Sequence, residues 1–126
     1  MSGDALDVTF KAGGDLSAKQ YYIMQISADN TVIAVDTATD KPIGILQNKP
    51  ESGEGAVVRI WGRSKCSADA AIVVNDLVGP SGDGQGTPYV AGSDTDKYAV
   101  GTCTRAADNA GEFAEVAVHP GYSKLS

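Results

Sequence analysis

Residues 42–103 limit what this chain can become. They read K-P-I-G-I-L-Q-N-K-P, then G-A-V-V-R-I-W-G-R-S, then A-A-I-V-V-N-D-L-V-G-P, then Y-A-V-G-T-C-T-R-A-A after a Gly-rich stretch. Short apolar runs recur, and Gly, Pro, Asn or Asp closes each one. Runs that short, rich in Val and Ile and bounded by turn formers, read as strands. An amphipathic helix would need an apolar stripe at a 3.6-residue period, and no long window sustains one. The fold class this predicts is all-β, a small β module. A length of 126 residues fits a single domain able to bury its own core.

Strands are expected over residues 19–27, 31–35, 43–47, 56–63, 98–105 and 112–119. Asp29-Asn30 marks a turn, and residues 79–97, with five Gly and two Pro, read as the longest loop. Residues 67–74, S-A-D-A-A-I-V-V, fit one helical turn or a strand equally well. The chain divides into an N-terminal arm, 1–14, and a β-rich domain, 15–126. The arm ends in Gly13-Gly14 and carries Leu6, Val8 and Phe10 in alternation, which puts them on one face of an extended segment. It has too few apolar residues to fold alone and no partner run nearby in sequence. The competing reading makes it the first strand of the barrel.

Chemistry-bearing motifs are sparse. Gly79-Pro-Ser-Gly-Asp-Gly84 has the glycines of a phosphate loop, but Gln85-Gly86 stands where Lys-Ser/Thr is required. Gly62-Arg-Ser64-Lys-Cys66 is one glycine short of a nucleophile elbow, and His119 is the sole base a Ser64 nucleophile could use. One His without ligand-spaced neighbours makes a poor metal site. Asp94 and Asp96 lack the central Gly and closing Glu of a calcium loop. No catalytic residue, metal or cofactor is expected, and no enzyme activity. Trp61 is able to stack a sugar or a base, but between Ile60 and Gly62 it reads as core.

The formal net charge of −6 repels a phosphate backbone, so no nucleic-acid partner is expected. Arg59, Arg63 and Lys65 are the densest basic stretch, and on a strand these odd positions share one face. That face is either a solvated surface or a patch that meets an acidic partner. Two cysteines, Cys66 and Cys103, make no disulfide framework, so free thiols are expected. M-S-G-D-A-L-D lacks the features of a signal peptide, and no apolar run is long enough to span a bilayer. Synthesis in a reducing cytoplasm without a membrane partner follows as an expectation.

The ordered series G-I-L-Q-N, V-V-R-I-W-G, A-A-I-V-V-N-D-L-V, a Gly-rich loop, Y-A-V-G-T-C-T-R-A-A and G-E-F-A-E-V-A-V resembles the small decoration, or cement, proteins of tailed-bacteriophage heads. The likeness covers about residues 12–119. It implies a β-barrel-like or β-tulip fold and a homotrimer on the outer surface of an icosahedral head. There the trimer would sit at local threefold axes and stabilise contacts between capsomers of an HK97-type major capsid protein. It implies a virion location after assembly in the host cytoplasm, and no catalytic residues. Leu6, Val8 and Phe10 of the arm, with Arg59, Arg63 and Lys65, are the expected capsid-binding residues. The alternative is a carbohydrate- or surface-binding β-module of a phage fibre or a bacterial surface, which needs exposed aromatics on a groove.

Overall fold

The computed structural model describes residues 5–90 and 92–119. Among them the regular elements are nine strands: β1 Leu6–Ala12, β2 Ile23–Ala28, β3 Thr31–Ala34, β4 Gly44–Leu46, β5 Gly55–Ser67, β6 Leu77–Pro80, β7 Gly86–Tyr89, β8 Gly101–Arg105 and β9 Phe113–Val118. The fold is all-β and compact, as the short apolar runs predicted.

β5 organises it. Its even positions Ala56, Val58, Ser64 and Cys66 are buried, while Trp61, Arg63 and Lys65 face out. That period of two gives the strand one wet face and one dry face. Gly62 interrupts the strand at φ 104°, a conformation that favours glycine. The partners change there. Residues before Gly62 pair with β1 and β4, and residues from Gly62 onward pair with β9.

Two cores result. In the first half the order β1-β3-β2-β4-β5 returns on itself, because β1 also pairs antiparallel with β5. Met24, Val32, Leu46, Ala56 and Val58 fill that ring. In the second half β9, β8, β6 and β7 continue outward from β5 over Ile72, Val78, Val100 and Val116. β2 and β4 form a shared wall. Met24 and Leu46 point into the first core, while their neighbours Ile23 and Ile45 join the second.

Four expectations need correction. Residues 6–12 lie in the domain's own sheet: β1 is in register with β5 from Leu6↔Trp61 to Lys11↔Gly55, so its partner run sits some fifty residues away in sequence. The first four residues of the expected arm lie outside the described residues. Within β1, Val8 and Phe10 are half-buried, while Leu6, at the strand's end and past a bulge that leaves Ile60 of β5 unpaired, is 53% exposed beside Trp61. Trp61 itself is 60% exposed, not core. Finally, the loop expected at 79–97 contains β7 and the end of β6. Glycine hid that hairpin: a side chain at Gly79 would collide with the Tyr89 ring, and one at Gly86 would sit 2.7 Å from Cys66 Sγ. These strands use Gly because other groups press close against them. The ambiguous stretch 67–74 forms neither a helix nor a full strand. It is held by the end of β5 and by isolated bridges, Ala68↔Gly86 and Ile72↔Ala107.

Both thiols are free and buried. Cys66 pairs with Ala114 and Cys103 with Val116, on opposite sides of β9. Strands two apart lie about 10 Å from each other, beyond the Cα separation of about 4.4–6.8 Å that a disulfide needs. Burial pushes the Cys66 thiol up to about 12 and raises Cys103 as well, so both stay neutral at ordinary pH.

Candidate functional site

The wet face of β5 gathers the surface chemistry. Arg59, Trp61, Arg63 and Lys65 follow one another along it, and the odd residues of β9 continue it sideways. Lys65 is in register with Glu115, and Ser67 with Phe113. On the far side of β9, Arg105 of β8 is also in register with Glu115. All three arginines of the chain therefore lie on one face.

Their partners differ. Arg59 is fully engaged. Its Nε donates to Asp7 Oδ1 at 2.7 Å and Nη2 to Asp7 Oδ2 at 3.0 Å, while Nη1 donates to the Arg63 carbonyl at 2.7 Å. This fork ties β1 to β5, and the hydrogen bond to Asp7 holds the guanidinium above its ordinary pKa. Arg63 and Arg105 share the single Glu115 carboxylate at 3.7 and 3.5 Å, with 70% and 76% of their side chains exposed. Contacts that long and that wet hold neither arginine firmly. Lys65 has its ammonium 5.7 Å from the centre of the Tyr21 ring.

Tyr21 stands at the centre of this face with φ 69°, an unusual conformation for a bulky residue. Its N–H donates to the Leu46 carbonyl at 2.8 Å and its carbonyl accepts from Ser67 N–H at 2.9 Å, which holds the strained backbone in place. The ring meets Phe113 edge-on, centroids 5.4 Å apart. Beside it lies an open groove of about 280 Å³, lined by Tyr21, Gln47, Arg59, Arg63, Ser64, Lys65 and Glu115. Three cations to one carboxylate line it. Beyond Phe113 the face turns acidic at Asp108 and Glu112.

Of the expected site residues, Arg59, Arg63 and Lys65 line this groove, while Leu6 is exposed in register with Trp61 on the neighbouring strand. Val8 and Phe10 do not join them; both are half-buried on the inner face. Trp61 belongs to the face although it was read as core. Its odd position, shared with the basic residues, was the signal for that placement. The Ser64 and His119 pair is not assembled. Ser64 Oγ accepts from Gln47 Nε2 at 2.7 Å and donates to the Lys65 carbonyl, while His119 Nε2 lies 3.1 Å from Thr102 Oγ1. Among the described residues no group of three or more His, Cys, Asp or Glu is placed to hold a metal.

The class of protein is now defined by its fold: a single all-β domain with two cores about one bent strand. Among solved structures it is similar to the head fiber gp8.5 N base in bacteriophage phi29, with a TM-score of 0.65 and 18% identity over 97% of this chain and 98% of that one. At that identity the likeness establishes the fold. No protein-family model and no curated protein matches the sequence.

Proposed function

We propose that the chain is a structural, non-enzymatic protein of the outer surface of a bacteriophage head. In this reading it sits as a homotrimer at local threefold axes, contacts the HK97-type major capsid protein and stabilises neighbouring capsomers. The observation that carries the reading is a fold shared end to end with a head-fibre base. The ordered sequence motifs that resemble head decoration proteins support it independently. The absence of an assembled Ser64–His119 pair is compatible with a binding role. Three copies of a weak contact on one trimer would multiply its affinity through effective concentration.

A second reading is favoured by the same structural neighbour, a fibre base, and by Trp61. A fibre base that binds a glycan or a host surface would use an exposed aromatic of this kind.

Co-sedimentation with heads of the virus that encodes the chain separates these readings. The first predicts saturable binding at a fixed ratio to capsomers, with the bound species trimeric. Absence of binding to heads, with binding to host glycans that is lost in Trp61→Ala, would establish the second instead.

A further inference from the structure

We infer that the Arg63–Lys65 groove beside Trp61 is a docking surface for an acidic segment of another protein. The inference deepens the head-surface reading by naming the chemistry of the partner; only the identity of that partner rests on the reading itself.

The charge distribution is the first argument. The chain sums to −6, yet three of its ten basic side chains and only one carboxylate line this groove. A local excess of positive charge on an acidic protein draws in an acidic partner and repels a second acidic surface. The second argument is that two of the three cations are incompletely used. Arg59 is locked in a fork with Asp7, so it shapes the wall. Among the described residues Arg63 reaches only Glu115, at 3.7 Å and shared with Arg105, and Lys65 rests over a ring. A carboxylate entering between them would gain charge-assisted hydrogen bonds from both.

The third argument is apolar. Trp61 stands between Arg59 and Arg63 on the basic face of β5, and Leu6 is in register with it; the two are 60% and 53% exposed. Phe113, 51% exposed, stands beyond Tyr21. Aromatic and Arg side chains together are the composition of a protein–protein interface core, where Trp and Arg supply most of the binding energy. A phosphate backbone would satisfy the cations but leave the Leu6–Trp61 pair uncovered. An acidic polypeptide covers both. The floor is fixed in advance by the locked Tyr21 backbone, so little ordering is needed on docking.

Trp61 is the only Trp and stands between Arg59 and Arg63 on β5, so its fluorescence reports on the face that carries this groove. The test titrates the whole chain with poly-L-glutamate in dilute salt. The expected result is a saturable change in emission. It should weaken about tenfold or more when salt rises to about 300 mM, and equally when Arg63→Gln and Lys65→Gln are combined. Lys11→Gln, an exposed control on β1, should bind like the wild type. No change in emission would overturn the inference, and so would full binding by the double variant. A response to heparin or DNA but not to poly-L-glutamate would assign the groove to a glycan or a nucleic acid instead. An emission shift with protein concentration alone would assign it to a second copy. Heads that bind the double variant at full strength sink this inference and leave the proposed function standing. Heads that bind neither protein sink the proposed function, while the peptide titration still decides the chemistry.

Discussion

The two halves of the molecule close in different ways. The first ring is shut by a ladder, with six residue pairs joining β1 to β5 and an Arg59–Asp7 fork on the outside. The second half has no ladder between β7 and β5 and is drawn together by isolated bridges, Ala68↔Gly86 and Ile72↔Ala107. Beyond the end of β5, Ala68 bridges to Gly86, and Asp69 N–H donates to the Gly86 carbonyl at 2.8 Å. The Gln85 side chain spans the same gap, donating to Ser67 Oγ at 2.8 Å and to the Ala68 carbonyl at 3.3 Å. A backbone ladder spreads its stabilisation over many groups and tolerates side-chain change. Isolated bridges concentrate it on a few residues, Gly86 and the Gln85 amide among them. The first half should therefore fail through its core and the second through its seam.

The largest effects test whether the two cores are separate. Leu46→Ala in the first and Ile72→Ala in the second each remove a fully buried side chain, and each should cost about 2–5 kcal/mol. Chemical denaturation of the double variant should show additive losses, because the two residues belong to different clusters. Coupling well above about 0.5 kcal/mol would mean that the shared β2–β4 wall makes one core of the two.

Removing residues 5–12 opens the first ring. It exposes the edge of β5 and strips Phe10 from the first core. The lost packing of Phe10 and Ala12 alone costs about 1.5–3 kcal/mol, and the broken ladder adds to it, so Tm should fall by at least roughly 5–10 °C. An unchanged Tm would restore the view of this segment as an arm that waits for a partner.

Gln85→Ala should cost about 1–2 kcal/mol by orphaning Ser67 Oγ at the seam. Hydrogen exchange should speed up in β6 and β7 while the β1–β5 ladder stays protected. Equal loss of protection in both halves would erase the proposed difference between them.

The smallest effect is a pH dependence at the β6–β7 turn. Burial disfavours the Asp83 carboxylate, but hydrogen bonds from the Ser81 hydroxyl and Gln85 N–H outweigh it and lower its pKa. A lowered folded pKa means that the stabilisation is complete above the unfolded value near 3.9. It is lost as pH falls through the folded value. Between about pH 6 and pH 3, wild type should therefore lose more stability than Asp83→Asn. Parallel melting curves would contradict the role given to this turn.

Much of this architecture was legible in the sequence, and the exceptions have physical causes. Val57, Val58 and Ile60 announced β5, and the alternation through Ala114, Val116 and Val118 announced β9. Their side chains carry the strand signal themselves. β6 and β7 were hidden because Gly79 and Gly86 are strand residues for the sake of what lies above them, and a glycine does not display its neighbours. The ladder between β1 and β5 joins segments about fifty residues apart, which local pattern does not reveal. Leu6 was grouped with Val8 and Phe10, but it lies at the strand's end past a bulge at Ile60 of β5 and stays exposed, which its own sequence neighbours do not reveal. On the candidate site, parity along β5 placed Arg59, Arg63 and Lys65 together correctly. The same parity placed Trp61 with them, but its neighbours Ile60 and Gly62 favoured a core assignment. Tyr21, the groove's floor, gave no sequence signal, because its position depends on a backbone conformation that only tertiary contacts impose.

The central claim is a place on the outside of a phage head. Electron cryomicroscopy of virions carrying the gene for this chain tests it most directly. The account predicts density on the outer head surface at local threefold axes that fits three copies of the two-core fold, with the Arg63–Lys65 groove turned toward acidic residues of a neighbouring protein. Virions whose outer head surface carries no such density, while the chain is found elsewhere in the particle or only in the infected cell, would contradict it.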